Sequence, residues 1–176
     1  MMATTERPRA VAPSAPTAEG PRPLQAEIAQ SRPFSSTAVE AVLGIERTGD
    51  LLQTAFAAAL KPHGVSPTQY NVLRILRGAG EHGLPTLEIG HRMVTREPDV
   101  PRLIDRMEKA GLVTRRRCTA DRRVVWCALS AQGASLMTVL DPIAEGLPVA
   151  QMATLSEDEQ RTLVTLLDRV RAGARL

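Results

Sequence analysis

Between Val100 and Leu129 the spacing of apolar residues changes from helical to alternating within one short span, and few folds accommodate that change. Val100, Leu103, Ile104 and Met107 fall at i, i+3, i+4 and i+7, one stripe of an amphipathic helix. Gly111 is placed to stop that helix. Two strands are predicted next, Leu112–Cys118 and Arg123–Leu129, with Val125, Cys127 and Leu129 alternating against Val124, Trp126 and Ala128. The tip between them, Thr119-Ala120-Asp121-Arg122-Arg123, is polar, and Arg115, Arg116 and Arg117 come just before it.

The prolines fix where the striped helix begins. A start at Thr95 would bury Pro101 well inside, where its ring meets the carbonyl four residues back. A start at Pro98 or Asp99 keeps Pro98 and Pro101 in or beside the first turn, and Asp99 then suits the positive end of the helix dipole. A shorter helix is predicted ahead of it, about Thr86–Met93, with a break at Val94–Glu97. Gly90 in that helix would permit close packing.

Other boundaries are written locally. Thr37 and Glu40 match a capping box for a long first helix that Pro62 and Gly64 end. Ile45, Leu52, Phe56 and Leu60 share its stripe, with apolar surface left over for a partner. Ser66, Pro67 and Gln69 mark a second start, Val65 and Tyr70 are placed as a hydrophobic staple, and Gly78 is the expected stop. Ser130 caps a later helix that Asp141-Pro142 should kink or break. Ser156 and Glu159 form a second box, opening a helix with Leu163, Leu166, Leu167 and Val170 on one face.

Residues 1–33 hold Pro8, Pro13, Pro16, Pro21, Pro23 and Pro33 and no apolar period, so they read as a disordered or loosely ordered tail. Leu24–Ala29 is the one stretch there with the makings of a turn. No apolar run is long enough to span a membrane, no signal-peptide core is evident, and two cysteines make no disulfide framework. A cytoplasmic protein is the expectation.

The chain is 176 residues long with a formal charge of only +3, so distribution matters more than total. Arg96 to Arg123 holds nine Lys or Arg against five Asp or Glu. That excess favours a polyanionic partner for this region. Helix, turn, helix, then ribbon is the order of a winged helix: mainly α, with a small β-wing. The second helix of such a motif enters the major groove, its apolar stripe turned to the core. Arg102, Arg106 and Asp99 lie on the other face, with Arg96 just ahead. Arg102 and Arg106 either contact DNA or are surface arginines, free to pair with Asp99 or Asp105. Arg122 and Arg123 at the ribbon tip suit the neighbouring backbone or a narrow minor groove. Asp121 would be repelled by phosphate, and its expected role is to turn the chain or to hold an arginine.

The stretches GVSPTQYNVLRIL, PDVPRLIDRMEKAGLVTRRR, ADRRVVWCALSAQG and LSEDEQRTLVTLLDRV resemble the MarR (multiple antibiotic resistance regulator) family from about Val39 to the C-terminus. The resemblance implies a homodimeric winged-helix transcription regulator, often a repressor, on a palindromic operator in double-stranded DNA. It implies dimerisation helices over 34–62 and 131–176, a DNA-binding lobe over 63–130, and Arg123 in the minor groove. It also implies a small phenolic or aromatic effector, for which Arg47, Tyr70, Arg74 and Trp126 are candidate cleft residues; surface or core roles are open for each.

Two alternatives remain: a winged helix turned protein-interaction module, and a thiol-based redox sensor. The family's redox cysteine lies near the start of the first long helix, where this chain has none. Cys118 lies near the wing, and Cys127 alternates with core residues. His63, His82 and His91 lack the tight spacing of a metal site. No phosphate loop or nucleophile arrangement suggests an enzyme, and no cofactor is expected.

Overall fold

The computed structural model describes residues 23–174 apart from Ala120 and Arg122. Most of the expected tail, residues 1–22, and the candidate contact Arg122 therefore lie outside the described residues. The chain divides into two compact units, residues 1–47 and 48–176.

The first unit contains a short helix, α1 (Leu24–Glu27), and the opening turns of α2 (Thr37–Leu60). The α2 start differs from the sequence-based reading. The Val39 N–H donates to Ser36 Oγ at 3.3 Å, so Ser36 does the capping and Thr37 is already helical. Adjacent hydroxyl residues offer the same chemistry, and only the backbone angles decide between them.

The second unit holds the core. A single 3-10 turn, Lys61–His63, follows α2, and Gly64 at φ 68° reverses the chain. Next comes α3 (Pro67–Ala79), where Ser66 Oγ accepts from the Gln69 N–H at 3.2 Å and Gln69 Oε1 accepts from the Ser66 N–H at 2.9 Å. Gly78 is inside this helix; the stop is Gly80, at φ 68°.

A two-residue strand, β1 (Leu84–Pro85), precedes α4 (Thr86–Arg92) and α5 (Val100–Lys109). The ribbon is β2 (Val113–Arg117) with β3 (Val125–Leu129), shorter at its tip end than the alternation suggested. The sheet order is β1-β3-β2, antiparallel throughout, with Arg116 opposite Trp126 and Leu84 opposite Cys127. β1 was not foreseen, because two residues are too few to show an alternating pattern.

Helix α6 continues through Ala131–Gln151 with Pro142 and Pro148 inside, so of the expected kink or break the break does not occur. Packing on both sides of the proline offsets its missing hydrogen bond. Met137 and Leu140 are fully buried, Ile143 and Ala144 pack on the core, and Asp141 accepts from Arg77 Nη1 at 2.5 Å. Last is α7 (Glu157–Gly173), opened by the Ser156/Glu159 capping box. The core joins Leu60, Val72, Leu73, Leu76, Ile89, Leu103, Ile104, Met107, Cys127, Met137 and Leu140. This is the expected mainly helical winged helix-turn-helix with a small β-wing. No helix among the described residues is long and apolar enough to cross a membrane.

Candidate nucleic-acid interface

The α5 helix is fixed at its N-terminal end and along its inner face. Asp99 is the N-cap, its Oδ1 accepting from the Arg102 N–H at 3.0 Å, and Pro101 lies in the first turn. Leu103, Ile104 and Met107 are buried, which turns Arg102, Arg106 and Lys109 to solvent. Packing against α4 is close: a Cβ on Gly90 would lie 3.3 Å from Val100 Cγ2. The turn between the helices is tied back to α3, since Asn71 Oδ1 accepts from the Val94 N–H at 3.1 Å.

The charges on α5 separate onto different faces. Asp105 and Glu108 both reach Arg115 on β2, Glu108 Oε2 at 2.8 Å from Arg115 Nε and 2.7 Å from Nη2. These carboxylates hold the Arg115 guanidinium above its ordinary pKa, Glu108 foremost. Among the described residues no ion pair engages Arg96, Arg102, Arg106 or Lys109. The pairing of Arg102 or Arg106 with Asp99 or Asp105, left open by the sequence, is not made.

The three arginines of β2 have divergent fates, because neighbours on a strand point to opposite faces. Arg115 turns to α5. Arg116 lies over the Trp126 ring at 5.0 Å and donates from Nη2 to the His82 carbonyl at 3.4 Å. Arg117 is exposed.

At the tip, Asp121 does both jobs considered for it. Its Oδ1 accepts from the Arg123 N–H at 3.0 Å, turning the chain, and its carboxylate pairs with the guanidinium at 3.2 and 3.3 Å. The Arg123 side chain bonds hold the Asp121 pKa below the ordinary carboxylate range. The Arg123 side chain is 91% exposed, so it is steered without being buried.

Between helix-turn-helix and ribbon lies a groove of about 1020 Å³. Leu87, Gly90, Arg96, Val100 and Pro101 line one side; Arg115, Arg123, Val124 and Val125 line the other.

Each of the four cleft candidates has its own setting. Arg47 Nε donates to Glu27 Oε1 at 2.8 Å within the first unit. Tyr70 is 8% exposed, edge-on to Phe56 at 5.2 Å, and burial raises its pKa against the lowering pull of Arg77 and Arg74. Arg74 is exposed one turn further on, and Trp126 lies beneath Arg116. None of the four lines the groove. Neither cysteine is disulfide-bonded: Cys118 is half-buried and Cys127 buried, with its thiol 3.4 Å from Thr86 Oγ1. No group of three or more His, Cys, Asp or Glu side chains gathers as a metal site among the described residues.

Lys109, Asn71 and the role of Arg115 escaped the sequence reading. Lys109 was within reach, since it follows Arg102 at i+7 on the outer stripe. Asn71 and Arg115 act across the fold, and no local pattern marks them.

A helix-turn-helix with unpaired cations on its outer helix, beside an arginine-tipped ribbon, defines a winged-helix module of the DNA-binding class. The MarR family model matches residues 65–125. YkoM, an uncharacterized HTH-type transcriptional regulator of Bacillus subtilis strain 168, is 33% identical over 110 residues, spanning 62% of this chain and 70% of that one. A MarR transcription factor from Planctomyces limnophilus has a similar structure, with 35% identity, a TM-score of 0.61, and coverage of 77% of this chain and 98% of that one. The S. aureus MepR–DNA complex shares the fold at a TM-score of 0.67 and 19% identity, over 80% of this chain and 99% of that one. The chain belongs to the MarR family.

Proposed function

We propose that the protein is a homodimeric, sequence-specific transcription regulator that binds a palindromic operator in double-stranded DNA. Arg102 and Arg106 enter the major groove on α5, with Arg96 at its approach. Arg123, and Arg122 by its position in the sequence, grip the neighbouring backbone or minor groove. Asp99 serves the interface indirectly, by starting the reading helix. The observation that carries this reading is the separation of charge on α5. Its carboxylates are occupied by the cap and by Arg115, and Arg102 and Arg106 are left without ion-pair partners. DNA-bound MepR, a fold neighbour, is consistent with it.

The dimer reading draws on apolar side chains without cover. Val42 on α2 is 53% exposed; on α7, Val164, Leu166 and Val170 are 58%, 48% and 50% exposed. Two-fold symmetry in the protein then matches a palindrome in the DNA.

The protein acts as a repressor that a small aromatic ligand releases. The groove beside α5 suits such a ligand better than the four residues named from sequence, since it combines apolar walls with Arg96 and Arg123. Occupation there would compete directly with the duplex. Thiol sensing has less support: burial raises the Cys127 thiol pKa, which leaves Cys118 as the one candidate, and it lies by the wing and not near the start of the first long helix. An interaction module would not need a row of unpaired cations on α5.

The test is selection of bound duplexes from a random pool, with the winner titrated over a salt series. Affinity should fall steeply with salt, with a log–log slope of about 0.9 per phosphate neutralised. Arg123→Ala should weaken binding to many sequences. Arg102→Ala should change the preferred sequence at roughly 1–3 kcal/mol per base pair read. No enrichment of any duplex at low salt would overturn the proposal.

A further inference from the structure

Among the described residues, Arg115 is the one cation of the basic stretch that ties the wing to the reading helix by ion pairs. It sits at the centre of β2, on the face turned to α5, and its guanidinium meets two carboxylates from successive turns of that helix. Nε and Nη2 both contact Glu108 Oε2, and Nη1 contacts Asp105 Oδ1. A planar guanidinium held from two directions is fixed in orientation as well as position, which a lysine could not reproduce. The bridge crosses the turn at Gly111, the point about which β2 and α5 would otherwise swing. Beyond it the ribbon projects to the tip that carries Arg123, so a small rotation at Arg115 becomes a larger displacement there.

We propose that Arg115 is a positioning residue for DNA recognition. It locks the wing to the reading helix, so that Arg102 and Arg106 on α5 and Arg123 at the tip meet the duplex in one register. It makes no phosphate contact of its own. Its charge is spent on the protein's own carboxylates, and it also screens Asp105 and Glu108 from the DNA. The inference rests on the DNA-binding reading above and adds to it a rigid coupling between the two contact elements.

Charge and positioning predict opposite results for one pair of variants. Arg115→Ala removes a positive charge, and Asp105→Asn/Glu108→Gln removes two negative ones. If only charge mattered, the first would weaken DNA binding and the second would strengthen it. A lock predicts that both lower the ratio of affinity for the selected duplex over a scrambled one, by about tenfold. It also predicts faster hydrogen exchange of the β2 and β3 amides in both free proteins. The salt slope should not fall in Arg115→Ala beyond the error of the wild-type value.

Should Arg115→Ala fail to fold, the Asn/Gln variant keeps every side chain near its original size and carries the test. Opposite shifts in the two variants, an unchanged affinity ratio, or a slope lower by one counterion would each overturn the lock. If the wild type binds no duplex at low salt, the DNA reading fails instead. Amide exchange alone then judges the lock, and unchanged exchange in both variants overturns it.

Discussion

Asp99 and Asp121 show how a carboxylate can serve a surface proposed to meet phosphate. Each spends its charge on the protein before the partner arrives. Asp99 Oδ1 accepts from the first turn of α5, and Asp121 accepts from Arg123 three ways. The Asp121 pKa is depressed, so its bridge is present above the ordinary carboxylate range and is lost as pH falls through the folded-state value, below about pH 4. At neutral pH the Arg123 side chain is therefore already aimed. Cys127 shifts the other way. Burial is the main cause of its raised pKa, so the favourable protonated thiol is fully present below about pH 8.5 and is lost as pH rises through the folded value. Iodoacetamide at pH 7.5 should therefore alkylate the half-buried Cys118 well before Cys127, whose labelling should wait for global opening of the fold. Peptide mapping over time checks this; rapid labelling of Cys127 in the folded protein would contradict it.

The helices and strands differ in how much of them can be read from the chain. The capping boxes at Ser66 and Ser156 were legible because each is a bond between residues three apart. The α3 stop was misplaced by two residues, since Gly78 and Gly80 look alike and only Gly80 has positive φ. The short β1 was invisible, yet it depends on one residue. Gly83 has φ 68°, and a Cβ there would lie 1.9 Å from the Cys127 carbonyl oxygen. Gly83→Ala must therefore push β1 away from β3 as well as strain the backbone. The expected loss is about 2–4 kcal/mol. Each kcal/mol should lower Tm by roughly 2–4 °C in a chain of this length, measured by calorimetry. A melting temperature equal to wild type would mean that β1 is dispensable.

In the whole molecule, the core ends where α7 begins. No residue of α7 is fully buried, although its capping box and apolar face are well formed. A helix of this kind gains most of its stability from packing, which the proposed dimer would supply. Leu166→Asp/Val170→Asp should leave the winged-helix lobe folded and shift sedimentation to a monomer at micromolar concentration. The palindrome should then bind no tighter than one half-site. A variant that stays dimeric would remove this face from the interface.

Periodicity, caps and turn glycines act between neighbours, so the order of the longer helices and strands, the winged-helix class and the cations on the outer face of α5 could all be derived from the chain alone. Pro142 shows the limit of such rules, because the packing of Met137, Leu140 and Ile143 overrode its local tendency to break a helix. The fate of each charge lay beyond them too. Arg115, Arg116 and Arg117 are consecutive and chemically identical, and one grips α5, one lies on Trp126 and one faces solvent. That division depends on which face of β2 meets which neighbour once the sheet docks on α5, and only the assembled tertiary structure decides it.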